Sequence, residues 1–322
     1  MSKLVAVRSG SPHPSFKMEK LVEKDRRLAS ATIPDVVICG AAKSATTSLW
    51  NYRVQHPRIY KSSQKEPGYF SALRPMRSPE RYTTLYRDAD SDQITVDASS
   101  AYITSPDSAE RIRNACPKAK IIIVLRNPAH RAFSLYRHMV WHGFEYASTF
   151  EDALHLEEER VRSESFLHRN PEYYYNFLYY RSGKYIKQIE RYLNHFPEEQ
   201  ILFLRFRDVV SETGQVMEKV FRFLGINSSF QPKKEIHNSG QGHDVWSPKF
   251  HYFLNQQVRH PLTDWGLPGR ALFSGLVRLN SKWGEDELGC DMERHLLSKF
   301  KKDFRLVESQ TGLELASLWL SE

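Results

Sequence analysis

Residues 36–50 read Val36-Val37-Ile38-Cys39-Gly40-Ala41-Ala42-Lys43-Ser44-Ala45-Thr46-Thr47-Ser48-Leu49-Trp50. Introduced by Pro34-Asp35, the apolar run has the length and composition of a buried strand. It breaks at Gly40, passes through small residues, and enters a helical pattern. A strand that turns through glycine into a helix is a phosphate cradle: backbone N–H groups point into the turn, and the helix N-terminus adds partial positive charge. Lys43 adds a full charge, and Thr46, Thr47 and Ser48 offer hydroxyl donors. The nucleoside-triphosphate loop GxxxxGK[ST] does not fit. The lysine comes three residues after Gly40, and no Gly-Lys-Ser/Thr triplet places a hydroxyl where Mg²⁺ would be held. An ordinary strand–helix turn also uses small residues for close packing, so the stretch alone does not decide between a packing turn and a phosphate site.

Outward from this turn, residues 94–97 form a short strand pattern, and 120–125 (Lys-Ile-Ile-Ile-Val-Leu) the strongest in the chain. Its unalternated β-branched run predicts burial on both faces, as in a parallel sheet covered by helices. Residues 201–204 supply a fourth strand. Helical periodicity covers 128–142, 149–164, 181–196, 212–224 and 291–309. Strands alternating with helices predict an α/β fold: a single domain, residues 33–322, with a central parallel β-sheet flanked by helices. Residues 1–32 form a polar, basic N-terminal arm with one amphipathic stretch near 18–28. From about 227 to 290, scattered Gly, Pro, His and Trp predict loops and short helices capping a site.

Composition narrows the class. The 322 residues are 40% hydrophobic and 12% aromatic, enough for a substantial core and unlike a disordered chain. Lys and Arg number 46 against 38 acids, but the basic residues are spread out, without the aromatic-interleaved stripe of a nucleic-acid binder. No apolar run approaches the roughly 20 residues that span a bilayer, and the N-terminus lacks a secretory pattern. Cys39, Cys116 and Cys290 are too few and too scattered for a disulfide framework or a CxxC metal site. The expectation is a soluble cytoplasmic protein with no metal and no nucleic-acid or membrane partner.

A second motif follows the strongest strand: Leu125-Arg126-Asn127-Pro128-Ala129-His130-Arg131-Ala132-Phe133-Ser134-Leu135-Tyr136. Asn127 suits a helix cap and Pro128 the first helical position. Arg126 then lies at the carboxyl end of a sheet strand, where doubly wound folds bind ligands. Residues 127, 131, 134, 138 and 142 share one helical face (Asn, Arg, Ser, His, His), with Leu125, Phe133, Tyr136 and Val140 on the buried side. A polar stripe is usually a solvated face. An arginine leading into a serine-bearing stripe also supplies a forked charge and a neutral donor suited to one phosphate.

Together the two motifs resemble those of sulfotransferases that use 3′-phosphoadenosine-5′-phosphosulfate (PAPS). Lys43-Ser44-Ala45-Thr46-Thr47 resembles their 5′-phosphosulfate loop, and Arg126 through Ser134 their 3′-phosphate motif. Lys65-Glu66-Pro67-Gly68-Tyr69-Phe70 is similar to the Lys-Glu-x-x-Phe-Phe stretch of the carbohydrate (heparan-type) branch, and Asp97-Ala98-Ser99-Ser100-Ala101-Tyr102 loosely matches its Ser-Pro-x-Tyr segment. The resemblance runs from about 34 to 319. Ser44-Ala45 departs from the Gly-Gly of that branch, Tyr69 replaces its first Phe, and the late donor-contacting loop is not recognisable around 237–240.

The resemblance implies a P-loop-kinase-like sulfotransferase fold and PAPS as co-substrate, with 3′-phosphoadenosine 5′-phosphate (PAP) as product. Donor binding falls to Lys43, Ser44, Ala45, Thr46, Thr47, Ser48, Arg126 and Ser134. Glu66 is the expected general base, and Lys43 stabilises the leaving oxygen. His138 and His142, beyond Ser134 on the same face, are the alternative bases or the lining of the acceptor pocket. The acceptor is a carbohydrate or small-molecule hydroxyl or amine. Competing readings are a nucleotide kinase-like phosphate-loop transferase and a non-catalytic phosphonucleotide-binding protein.

Overall fold

The computed structural model describes residues 34–71, 73, 78–171, 174–233, 244–282 and 287–319. The arm at 1–32 lies outside them. Four strands, β1 (Val36–Gly40), β2 (Val96–Ala98), β3 (Lys120–Leu125) and β4 (Ile201–Arg205), form one sheet in the order β2-β1-β3-β4. Every pairing in it is parallel. A two-stranded antiparallel sheet pairs β5 (Asp244–Val245) with β6 (Ser281–Lys282). The helices in chain order are α1 (Thr46–Arg53), α2 (Pro79–Thr84), α3 (Ser108–Ala115), α4 (Pro128–Trp141), α5 (Phe150–Arg162), α6 (Glu164–Arg169) and α7 (Tyr185–His195). They continue with α8 (Phe206–Ser211), α9 (Thr213–Leu224), α10 (Pro248–Phe253), α11 (Arg259–Asp264), α12 (Leu267–Leu279), α13 (Cys290–Thr311) and α14 (Ala316–Trp319).

The sheet has a core on each face, which is why its strands do not alternate apolar with polar. Val37, Cys39, Ile121, Ile123 and Leu125 point into one core with residues of α3, α4, α7 and α13. Val36, Ile38, Ile122, Val124, Leu202 and Leu204 point into the other, against Leu49 and Trp50 of α1 and Met217, Val220 and Phe221 of α9. The expected α/β class and all four central strands are found.

The start of α4 matches its reading. Asn127 Oδ1 accepts from the amides of Ala129 (3.0 Å) and His130 (3.3 Å), and Pro128 occupies the first turn. The polar stripe needs correction at Arg131, which is 1% exposed. Its Nη2 donates to the Tyr179 carbonyl (2.7 Å) and to Ser182 Oγ (2.9 Å), so it fastens the 179–182 segment rather than facing a ligand. Phe133, placed on the buried side, is only partly covered. Segment 244–282 also differs from a set of loops and short helices. Thirteen-residue α12 runs through Pro268, Gly269 and Gly275, the residues that punctuate the sequence like a loop. Among the described residues no helix is long and apolar enough to cross a membrane.

Candidate active site

The turn after β1 is built by close approach. At Gly40 (φ 135°) a Cβ would lie 2.8 Å from both the Ser100 carbonyl oxygen and Ile103 Cγ2, so only glycine fits. The Ala41 amide donates to the Val124 carbonyl at 2.9 Å, tying the loop to β3. Lys43 (φ 65°) and Ala45 (φ 61°) then take left-handed backbone, which costs an L-residue about 1–2 kcal/mol. Ala45 sits at the N-cap position of α1 without a side-chain cap, leaving first-turn amides available to a ligand. Ser44 is wholly buried and its Oγ has no hydrogen-bond partner. Thr46 is buried, and Thr47 and Ser48 are half-buried in the first turn.

Positive charge converges on this loop. Burial, then the neighbouring charges of Arg126 and Lys65, lower the Lys43 amine to about 8. Arg126 Nη1 donates to the Lys43 carbonyl at 2.9 Å, and its guanidinium lies 4.4 Å from the Phe206 ring centre. The Tyr185 hydroxyl donates to the Arg126 carbonyl at 2.9 Å, so strand end, arginine and loop form one unit. Cations gathered beside an orphaned buried hydroxyl and open helix amides fit a phosphate- or sulfate-bearing ligand.

Glu66 stands on the other side of β1. Its backbone is left-handed (φ 58°), and its amide donates to the Ala98 carbonyl at 3.0 Å. Oε1 accepts from Lys65 Nζ at 2.6 Å. Oε2 accepts from the Ser100 amide at 2.8 Å and from Ser100 Oγ at 3.3 Å. Behind it lies buried Asp97. Its carboxylate accepts from Ser99 Oγ (2.7 Å), Tyr102 OH (2.8 Å) and Tyr82 OH (2.9 Å). Ser99 Oγ in turn accepts from the Gly68 amide (3.0 Å), and Tyr102 OH from the Phe70 amide (3.2 Å). The Glu66–Phe70 segment therefore hangs from β2 through one carboxylate. Burial pushes that carboxyl up to about 6, against the three hydrogen bonds that lower it.

On α4, His138 and His142 lie with ring centres 4.3 Å apart. Burial, then the charges of Lys43 and His142, lower His138 to about 3, so it is neutral at neutral pH and within the field of Lys43. His142 is exposed. Ser134, partly exposed, lies one turn before His138 on the same face. The structure thus gathers Lys43, Arg126, Glu66 and His138 around the loop. It adds two residues without a role in the sequence reading: Lys65 as a third cation, and Asp97 as anchor of the Glu66 segment. An aspartate inside an apolar strand was the available signal. Residues 237–240 lie outside the described residues.

A family model described as "Sulfotransferase domain" matches residues 33–241, more than half the chain. A crystal structure of a sulfotransferase from Alicyclobacillus acidocaldarius superposes with a TM-score of 0.67 at 28% identity, covering 89% of this chain and 98% of that one. The membrane-associated sulfotransferase kil1 of Dictyostelium discoideum is 24% identical over 69% of this chain and 63% of its own length. The bifunctional heparan sulfate N-deacetylase/N-sulfotransferase 1 of Xenopus laevis is 30% identical over 62% of this chain. The chain spans only 24% of that relative's length. A cradle whose lysine departs from the triphosphate pattern, an arginine bound to it from β3, and a domain match across both place the chain in the sulfotransferase family.

Proposed function

We propose that the chain moves a sulfuryl group from PAPS to a hydroxyl or amine of a carbohydrate or small-molecule acceptor, releasing PAP. The convergence of Lys43, Lys65 and Arg126 on a loop with an orphaned Ser44 hydroxyl carries this reading. Ser44, Ala45, Thr46, Thr47 and Ser48 cradle the 5′ end, with Lys43 against the bridging oxygen. Arg126 and Ser134 hold the 3′-phosphate. The donor supplies an activated S–O bond to a phosphate leaving group. Glu66 takes the acceptor proton as the new O–S or N–S bond forms and the bridging S–O bond breaks, and Lys43 neutralises the charge left on the phosphate.

A second assignment of the base rests on His138, which is neutral and lies within the field of Lys43. Burial and the charges of Lys43 and His142 weaken it as a base, and the Lys-Glu resemblance points to Glu66. Similarity to the heparan sulfate N-sulfotransferases supports a carbohydrate among the proposed acceptors. Two buried cysteines and one exposed, all free, suit the reducing cytoplasm.

Calorimetry tests the donor half: PAP should bind with or without a chelator, and removal of the 3′-phosphate should weaken it. Preferential binding of ATP with Mg²⁺ would return the kinase-like reading. Mass spectrometry of an acceptor panel incubated with PAPS tests the transfer, and binding without a sulfated product would leave a phosphonucleotide sensor.

A further inference from the structure

Residues 246–280 leave the body of the protein as one excursion, closed at its base. Val245 pairs with Ser281 and Asp244 with Lys282 in the β5–β6 ladder, reinforced by the Trp246 amide on the Asn280 carbonyl (2.8 Å). Within it α10, a π-turn (Leu254–Val258) and α11 run outward, Trp265-Gly266-Leu267 makes the tip, and α12 returns. Two contacts seat the outward limb on the end of α4: His251 Nε2 with the Trp141 carbonyl (2.9 Å), and Asn255 Nδ2 donating to the Gly143 carbonyl (3.1 Å).

The excursion is apolar where it should be polar. Of the ten large hydrophobic side chains exposed among the described residues, seven are here: Trp246, Phe250, Phe253, Trp265, Leu267, Leu272 and Leu279. Trp265 is 70% exposed and Leu267 80%, and in all of α12 only Gly269 is buried. Charge on the excursion has one sign almost throughout. Lys249, Arg259, Arg270 and Arg278 face a single acid, Asp264, and there is no glutamate. On α12 the polar residues Arg270, Ser274 and Arg278 recur every four positions, with Leu272, Leu276 and Leu279 on another side.

We propose that this excursion docks the protein on an anionic lipid bilayer. Trp265, Leu267 and the apolar side of α12 enter the interface, and Arg270 and Arg278 pair with lipid phosphates. A cationic amphipathic helix with Trp and Leu on its apolar side is what lies in an interfacial plane. At thirteen residues α12 is too short to span. A second copy is the poorer occupant, because two such faces would bring like charges together. The expectation of no membrane partner rested on basic residues spread along the chain and on the lack of a bilayer-length apolar run, and neither registers a patch assembled by folding.

Vesicle flotation with the full chain tests this. The protein should float with phosphatidylcholine vesicles containing one-third phosphatidylglycerol, stay behind with phosphatidylcholine alone, and be released by salt. Trp265→Ser with Leu267→Ser should abolish flotation. Arg270→Gln with Arg278→Gln should weaken it about 30-fold. Both double variants should keep the parent's circular dichroism spectrum and Tm, which shows the fold intact whatever becomes of the proposed chemistry. Absence of the parent from anionic vesicles, or undiminished flotation of the tip variant, would overturn the proposal. So would light scattering that shows a parent dimer turned monomeric by the tip variant, since a second copy would then cover the face.

Discussion

Arg126 binds the loop it serves: its Nη1 donates to the main-chain carbonyl of Lys43 at 2.9 Å, across from β3 to the turn after β1. One guanidinium therefore both shapes the cradle and brings charge to it. Lysine carries the charge but not the planar fork. Arg126→Lys should weaken PAP binding by about 1.5–3 kcal/mol, and binding of the analogue without a 3′-phosphate by less. Calorimetry with the two ligands checks this. Equal losses would mean that the residue acts only on the loop.

Lys43 gives up stability for charge. Its amine titrates at about 8 in the fold against an ordinary lysine value of 10.5, so the unfolded chain holds more protons between those values. Folding stability from this group rises as pH climbs through that window, and below it the buried charge is a cost. Lys43→Met should raise the donor-free Tm at neutral pH, by about 1–2 kcal/mol in stability after allowing for solvent screening, with the gain shrinking in alkali. PAP affinity should move the opposite way, falling in the variant and, in the parent, as pH passes about 8. Thermal melts and calorimetry across pH read both.

Glu66→Gln keeps shape but cannot take a proton. Its kcat should fall ~10²–10⁴-fold with PAP affinity nearly unchanged. His138→Ala should act mainly on acceptor KM. An active Glu66→Gln beside a dead His138→Ala that still binds PAP would move the base to α4.

Ser99→Ala removes a donor to Asp97 and the acceptor of the Gly68 amide together. Leaving buried polar groups unmet costs about 1–3 kcal/mol. Because Ser99 supports the Glu66 segment and not the cradle, kcat should drop while PAP affinity holds. Parallel losses in both would show that the network serves the fold as a whole.

Ala45→Gly relieves a methyl-bearing residue of left-handed backbone, φ 61°. Relief of about 1–2 kcal/mol, less the added freedom of glycine in the unfolded chain, predicts a net gain of about 0.5–1 kcal/mol. Urea denaturation measures it, and destabilisation would show that the methyl group contributes packing.

The sheet was legible because its signal is local. Residues 120–125 are apolar on both faces, and the strand found there has the same bounds. The cap at Asn127 likewise depends on neighbours in sequence, whereas the close approach that demands glycine at 40 comes from Ser100 and Ile103. Arg131 was misplaced because the 179–182 segment covers a helix face that periodicity alone leaves to solvent. Lys65 and Asp97 gained no role because what matters about them comes from elsewhere in the chain: the charge of Lys43 for one, the Tyr82 hydroxyl and, through Ser99 and Tyr102, the Gly68 and Phe70 amides for the other. Glu66 was found through resemblance. A Lys-Glu pair in isolation says nothing about the Ser100 amide that holds it.

Strand order gives β1 a neighbour on each side: β2, from which the Glu66 segment hangs, and β3, which Arg126 directly follows. The sheet works as a caliper. The span between the Glu66 segment and Arg126 is set by rungs of backbone about 4.8 Å apart, not by the reach of any side chain. Under the proposed transfer, loops beyond the rungs vary with the acceptor while the distance between proposed base and proposed phosphate clamp keeps its length.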